Sequence, residues 1–434
     1  MAFSPRKIIW KIVDLIPEKI RSSLIRDSLD IDKDQLKGIE IRVAKSQNEI
    51  NQAFRLLHES YVSNGLMDSK EHELRITKYH CLPTSLIIVA LQDGKVIGTV
   101  THVLDSQLGL PSDSAIDLSE MRKKGNRIAE VSSLAVRKGF RRSHALLFAL
   151  TRYMFHYAHK IAGVDYWIIG VRDNVASYYE AIFFFKRFKT KKIAHGFVKD
   201  SPSYFLYMSL GDSEEKFLRC YNSKPLNKNL YHFYFHTDFR EIGNYDQFKY
   251  NLPINYCFDR DSFTNYFREK ERIIDSLSDK EKFEVLNAYI QIYPEFFEEA
   301  EMKLLTQRQS RNGVRYLSHY EIEILSLNQT PGERKILVTK FEANGFVMNF
   351  SSSGLLVKLN KKVNLEGEYI LRFPAKIPID KFLRVKVIRN AKENHYSFMI
   401  TEVNDSWKQF ILNLEQHIYT QAQSEKEFII KKAA

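Results

Sequence analysis

The chain has 434 residues, 44% of them hydrophobic and 27% charged, and a formal net charge of +12 at pH 7. That length predicts two or three domains, and the balance of apolar and charged residues excludes a disordered or fibrous chain. No apolar run is long enough to cross a bilayer and no secretory-leader pattern is present, while Cys81, Cys220 and Cys257 lie far apart with no metal-type pairing, which fits a reducing cytoplasm.

The positive charge predicts acidic partners: nucleotides, nucleic acid, anionic lipid or an acidic carrier protein. In residues 1–38, Ile8, Ile9, Ile12, Val13 and Ile16 form one helical stripe beside Lys7 and Lys11. Such a stripe suits a helix lying on a membrane surface, and equally one packed on its own domain. From 39 to 210 helix and strand patterns alternate. Ile50 to Ser63 reads as a helix, Ser85 to Leu91 as a strand, Asp93-Gly94 as a turn and Val96 to Leu104 as the next strand. Ile128 to Val136 is a strand opening into a helix from Ser143 to Ile161. Trp167 to Val171 (strand), Ala176 to Lys186 (helix) and Ser203 to Ser209 (strand) complete a mixed α/β sandwich.

Residues 211–305 are rich in Tyr, Phe, Asp and Glu and read as mainly helical, with helices over Asp259 to Ser276, Ser278 to Tyr293 and Pro294 to Leu305. His232 and His236 share a helical face, but without a third ligand nearby they predict packing rather than a metal site. Residues 306–420 hold short alternating runs: Ile336 to Phe341 before an Asn344-Gly345 turn, then Leu355 to Leu359, Gly367 to Phe373, Leu383 to Ile388 and Tyr396 to Ile400. Trp407 to Ile418 reads as a closing amphipathic helix, and 421–434 as a flexible tail. There is no P-loop, no dinucleotide-binding glycine pattern, no Ser-His-Asp elbow, no repeat and no nucleic-acid-binding motif, so charge alone gives no reason to expect nucleic acid.

An ordered set of segments carries a first resemblance. They are Asp105-Ser106 with Gly109-Leu110-Pro111, the strand Ile128-Ala129-Glu130-Val131-Ser132-Ser133-Leu134-Ala135-Val136, the loop Phe140-Arg141-Arg142, and Tyr178-Tyr179-Glu180. The set resembles the GNAT acyltransferase fold and, within it, the N-acyl amino acid synthases, relatives of the acyl-homoserine-lactone synthases. What the resemblance implies is transfer of a fatty acyl group from acyl carrier protein to an amino-acid amine. Glu130 then stands where the family has a glutamate suited to take the amine proton through water, and Tyr179 where many GNAT enzymes protonate the leaving thiolate. The bland alternatives are a solvated strand-end carboxylate and an aromatic core residue.

Arg137, Lys138, Arg141 and Arg142 precede the long helix. Backbone amides at a helix start, with cations beside them, suit the phosphate of a phosphopantetheine arm and an acidic carrier protein; four cations facing solvent is the plainer reading. Three departures from the family pattern count against catalysis. His144 stands where a glycine is expected, Glu130-Val131-Ser132-Ser133 lacks the arginine of the lactone synthases, and Phe183-Phe184-Phe185 replaces a glycine. The phenylalanines either line an acyl tunnel or fill the slot of a scaffold without chemistry.

The second resemblance rests on Arg311-Asn312-Gly313-Val314-Arg315, an RxxxR, followed by Asn349-Phe350-Ser351-Ser352-Ser353-Gly354, an NxSxxG, ahead of the strand-rich run. Together they resemble the PilZ domain, a small β-barrel that binds cyclic di-GMP. Guanidinium forks pair with phosphate and stack on purines, and a short Asn/Ser turn offers groups to a base edge. The residues implied are Arg308, Arg311, Arg315, Asn349, Ser351 and Gly354. The long gap between Arg315 and Asn349 leaves Arg334-Lys335 as a rival basic partner.

The expected architecture is an α/β GNAT-like mixed sheet with flanking helices, a mainly helical middle segment and a six-stranded-type antiparallel PilZ β-barrel. The expected function is N-acyl transfer under cyclic di-GMP control in the cytoplasm of a bacterium, with no metal. The alternative is a receptor whose degenerate transferase scaffold binds an effector or carrier protein.

Overall fold

A computed structural model describes residues 17–140, 144–189, 191–237, 243–244, 248, 250, 252–290, 301, 315–328, 337–374, 382–392 and 394–418. Its first domain is built on one sheet: β1 (Ile39–Val43), β2 (Ser85–Gln92), β3 (Lys95–Leu104), β4 (Ile128–Val136), β5 (Tyr166–Arg172), β6 (Lys186–Arg187), β7 (Ile193–His195) and β8 (Ser201–Ser209). The order is β1-β2-β3-β4-β5-β8-β6, with β7 also on β8. Every pairing is antiparallel except β4 with β5. β2 is buried along nearly its whole length, as an Ile/Val/Leu run covered on both faces should be. Asp93 and Gly94 have φ of 50° and 72°, the left-handed pair that a two-residue hairpin favours.

Helices cover both faces. α1 (Glu18–Asp27) packs on α4 (Asp173–Phe183), where Arg26 Nη1 donates to the Ala181 carbonyl at 3.0 Å. α2 (Gln47–Ser63) is capped by Ser46, whose hydroxyl accepts from Glu49 N at 3.3 Å. α3 (His144–His156) lies on the opposite face. The helix expected to reach Ile161 widens into a π-type turn over Tyr157–Ile161. The one expected over Ala176 to Lys186 ends at Phe183, because Phe184 is left-handed (φ 62°) and turns its ring onto α5 (Ser213–Tyr221), 5.3 Å from Phe217. Aromatic packing there outweighs the local cost of the backbone.

The middle segment differs from its predicted single helix over Asp259 to Ser276. It runs as Arg260–Phe263, a π-type Thr264–Lys270 and Ile273–Ser276, broken at Arg272 with φ 47°. Glu271, next to the break, is held by Lys70 and His72 of the first domain. α6 (Asp279–Tyr289) follows, started by the Ser278–Glu281 capping box. The His232 and His236 rings stack at 6.2 Å. Among the described residues no three His, Cys, Asp or Glu side chains converge, and no helix is long and apolar enough to cross a membrane. The N-terminal stripe and nearly all of the span from Pro294 to Leu305 lie outside the described residues.

The C-terminal unit is a closed six-stranded antiparallel barrel: β9 (Tyr316–Asn328), β10 (Leu337–Phe350), β11 (Gly354–Leu359), β12 (Glu368–Arg372), β13 (Phe382–Lys392) and β14 (His395–Glu402), in the order β10-β11-β14-β13-β12-β9. Helix 405–418 buries Trp407, Phe410, Ile411, Leu414 and Ile418 against it. Asn344-Gly345 is not a turn. It lies inside β10, where a Cβ on Gly345 would come within 2.2 Å of the Lys358 carbonyl, so the glycine serves close strand approach. β9, unforeseen in the sequence, fills the long gap after Arg315. The core under α2 continues through the middle helices into the barrel, while a second core lies under α3 and α4.

Candidate active site

β4 and β5 are paired only from Ile128 with Tyr166 to Glu130 with Ile168. Beyond Glu130 the two strands run on without a shared register, so the sheet opens at that residue. Just past it β4 carries a one-residue bulge: Ser132 faces Thr101 but Ala135 faces Thr99, and Ser133 has φ 53°. A bulge takes backbone groups out of the ladder and re-aims them.

Glu130 is 2% exposed. Its Oε2 accepts from the Ser112 backbone N at 2.8 Å. Burial pushes its pKa up to about 8; the Ser112 hydrogen bonds oppose the rise and Asp113 adds to it. The solvated-carboxylate alternative does not describe this residue. The loop presenting Ser112 is fixed by Arg122, which bonds Asp105 at 2.7 and 2.8 Å and Asp113 at 2.8 Å. Asp113 in turn accepts from Leu110 N at 2.8 Å. Asp105 and the Gly109-Leu110-Pro111 segment, legible as a motif, therefore act as the brace behind Glu130. Sequence reasoning missed Ser112, and two serines inside an apolar strand were the one sign of the bulge.

Tyr179 lies across the sheet from Glu130. Alternate residues of β4 face opposite ways: Ile128 joins the core under α2, whereas Val131 packs with Trp167, Ile169 and Tyr179 in the core under α3 and α4. Val131, Ile169, Tyr179, Phe183, Phe185 and Tyr234 help line a small apolar cavity of about 20 Å³, its side chains nearly filling it. Burial pushes the Tyr179 hydroxyl up to about 12, and its ring stacks on Phe183 at 5.9 Å. Glu130 and Tyr179 thus flank the opening between β4 and β5 from its two sides. At the far end of β4, Arg137 is exposed, with Nε and Nη2 donating to the Val96 carbonyl at 3.3 and 3.1 Å, and Lys138 is exposed in the turn Lys138–Phe140. Arg141 and Arg142 lie outside the described residues.

In the barrel the antiparallel register pairs Tyr316 with Phe350 and Leu317 with Asn349. The ends of the β9–β10 hairpin therefore meet however long its far loop is, and Arg315 Nη1 donates to Asn349 Oδ1 at 2.8 Å. Gap length, which raised the rival Arg334-Lys335, does not separate Arg315 from Asn349. That rival pair, with Arg308 and Arg311, lies outside the described residues. Ser351 is 5% exposed and makes the turn itself: its N donates to the Gly354 carbonyl at 2.8 Å, and its hydroxyl accepts from Ser353 N at 3.4 Å. A Cβ on Gly354 would meet the Phe398 carbonyl at 2.9 Å, which explains the glycine by strand approach. Trp407 Nε1 fixes the turn through the Ser352 carbonyl at 3.1 Å.

The barrel is seated on the base of β4 and β5. Arg127, just before β4, donates to the carbonyls of Ala162 (2.5 Å), Ser318 on β9 (2.9 Å) and Met348 on β10 (2.8 Å). Burial lowers its pKa to about 10. Asp165, just before β5, accepts from Arg127 N at 2.7 Å and pairs with Lys358 of β11 at 2.8 Å. Gly163 and Gly125 face His319 and His395, each with no room for a Cβ. One short path therefore runs from Asn349 through the Met348 carbonyl and Arg127 to Glu130, three residues along.

Residues 52–208 match the family model described as N-acyl amino acid synthase FeeM. By that match they form an N-acyl amino acid synthase-like domain, which includes Glu130 and Tyr179. No curated protein matches the chain. Among solved structures it is similar to FeeM, an N-acyl amino acid synthase from uncultured soil microbes, at 20% identity over 41% of this chain and 93% of that one, with a TM-score of 0.36. It is similar to BjaI, a CoA-dependent acyl-homoserine lactone synthase, at 13% identity over 48% and 92%, TM-score 0.32. An acetyltransferase from Streptococcus agalactiae matches at 13% identity over 40% and 99%, TM-score 0.29.

Proposed function

We propose that this chain moves a fatty acyl group from the thioester of an acyl carrier protein to the amine of an amino acid, and that its barrel is a PilZ-type receptor for cyclic di-GMP that governs the transfer. The observation that carries the first half is Glu130: a carboxylate buried where the sheet opens, with its pKa raised to about 8, within an N-acyl amino acid synthase-like domain. A base with a pKa near the working pH accepts a proton and releases it again at little cost.

In this reading the amine nitrogen attacks the thioester carbonyl carbon while its surplus proton passes, directly or through water, to Glu130. The C–N bond forms, the C–S bond breaks and the sulfur leaves as thiolate, protonated in turn to the free thiol. Backbone N–H groups freed by the bulge at Ser133 suit the oxyanion. Tyr179 keeps its proton at neutral pH, which makes it a hydrogen-bond donor for the sulfur rather than a strong acid. The acyl chain would enter at the small apolar cavity beside Tyr179 only if Phe183, Phe185 and their neighbours move apart to widen it. Exposed Lys138, with the other cations of that loop, suits an acidic carrier.

For the barrel, the pairing of Arg315 with Asn349 supports the ligand assignment, since it sets a cation beside an amide at the mouth of the hairpin. Ser351 shapes that turn. Ligand binding that shifts β10 would reach β4 through Arg127, and regulation requires that the two arrangements differ in affinity. A second reading, a receptor without chemistry, is favoured by Phe183 and Phe185, which narrow the cavity.

Thiol release from an acyl-carrier thioester, with an amino-acid mixture and with and without cyclic di-GMP, separates the readings. The proposal expects release that rises through about pH 8 and responds to the nucleotide. Release no faster than in Glu130→Gln leaves only the receptor.

A further inference from the structure

Ser112 is fully buried, and its polar groups bear on Glu130. It sits in the single 3-10 turn Pro111–Ser114, which packs on both β4 and β5 and so lies where those strands part. Its N donates to Glu130 Oε2 at 2.8 Å. Its carbonyl accepts from Ala115 N at 2.9 Å and Ile116 N at 3.0 Å, which fixes the turn. Its hydroxyl is buried and makes no other hydrogen bond, so the Glu130 carboxyl is the acceptor left to it. A buried hydroxyl kept without a second partner is costly, and here it stands beside the base. Among the described residues nothing donates to Glu130 Oε1.

The turn is held from behind. Gly109 has φ 70°, and a Cβ there would come within 2.4 Å of Asp113 Oδ2, so the glycine lets Asp113 fold under the turn. Arg122 pairs with that carboxylate at 2.8 Å and with Asp105 at 2.7 Å. Around the base stand Asp113 and Arg122 of this loop, His195 of β7, and Tyr79 and His80 of the turn Lys78–Cys81. His195 Nε2 lies 3.4 Å from the Pro111 carbonyl, and His80 Nε2 lies 3.3 Å from Thr101 Oγ1 on β3. Burial keeps His80 neutral down to about pH 3, holds His195 below its ordinary range and keeps the Tyr79 proton in place. Of these histidines, this tyrosine and Glu130, it is Glu130 that changes charge near pH 8.

We infer that Ser112 is the positioning residue of the base: its N–H holds Oε2, its hydroxyl serves the same carboxyl, and Oε1 is left as the oxygen that takes the proton of the attacking amine. The inference rests on the acyl-transfer reading above. A carboxylate tethered at one oxygen cannot swing, so the free oxygen keeps its place while a proton arrives and leaves. The same two donors favour the ionised form, which brings the base toward the working pH where burial alone would hold it as the acid. Asp113 acts in the opposite sense, its charge favouring the acid.

Ser112→Ala keeps the N–H and removes the hydroxyl. The pH profile of thiol release should then move up by about one unit, with the rate at pH 7 about tenfold lower, the loss in kcat and KM unchanged. Asp113→Asn, which keeps an oxygen for Leu110 N and Arg122, should move the profile down by about half a unit. Loose packing would instead lower both rates equally at every pH. An unmoved midpoint in Ser112→Ala, a loss equal at every pH, or both variants moving the same way overturns the inference. A carboxyl 13C titration of glutamate-labelled full-length protein, with Glu130→Gln to identify the signal, reads the same midpoint without turnover. If no thiol is released but that midpoint rises in Ser112→Ala, the grip on Glu130 stands while the transfer reading falls. A midpoint that stays put in the folded variant overturns the grip itself.

Discussion

Replacing Glu130 by Gln should stabilise the protein at high pH and do nothing at low pH. In the unfolded chain a glutamate ionises near its ordinary value of 4.5, whereas burial in the fold raises it to about 8. Below pH 4.5 the side chain is neutral in both states, and Gln, of similar shape and still able to accept from Ser112 N, costs little. Between pH 4.5 and 8 the unfolded state releases its proton while the folded state keeps it, so wild-type stability falls as pH rises. Each pH unit costs about 1.4 kcal/mol, so a window of about 3.5 units gives about 5 kcal/mol as the upper figure. Above pH 8 both states are ionised and the difference is constant. Urea unfolding of both proteins from pH 4 to 9 reads it directly. Equal stability at every pH, or a difference that stops growing by pH 5, would show that the carboxylate is solvated and would remove the reason for assigning it the base's role.

Four further outcomes follow from the geometry. Arg315→Ala should weaken cyclic di-GMP binding about 10- to 100-fold by calorimetry, through loss of a charge-assisted contact, with little change in melting temperature. Arg127→Met leaves three carbonyls without a donor and should loosen the seat of the barrel by about 3 to 5 kcal/mol; faster hydrogen exchange around Ser318 and Met348 would report it, and unchanged exchange would refute the seat. Phe184→Gly gains about 1 kcal/mol of backbone relief but gives up ring contacts with Phe217 and Tyr221, so the melting temperature should fall. Ile20 and Leu24 are 55% and 54% exposed on α1, next to the apolar stripe. If that stripe meets lipid, a chain lacking residues 1–16 should lose flotation with anionic vesicles, and equal flotation refutes the contact.

Much of the sheet was legible because its signals are local. Ile128 to Val136 reads as a strand from its own residues, and Asp93-Gly94 as a turn from the only chemistry that suits two left-handed positions. Glu130 was legible as a position, but its perturbed proton affinity was not, since that comes from Ser112 and from burial on a sheet that opens just there. β9 was missed because Tyr316 to Asn328 mixes Ser, His and Glu among its apolar residues. Asn344-Gly345 misled for the opposite reason: a strong local turn signal was overridden by a strand that needs its glycine for clearance. The meeting of Arg315 with Asn349 is a consequence of hairpin register, which spacing along the chain conceals.

The central claim is acyl transfer to an amino-acid nitrogen with Glu130 as base, and product mass tests it most directly. Full-length protein with a dodecanoyl-carrier thioester and the twenty L-amino acids should yield one or more N-dodecanoyl amino acids by mass spectrometry, and Glu130→Gln should yield almost none. Free fatty acid alone, or the same acyl amino acids in equal amount from both proteins, would contradict it.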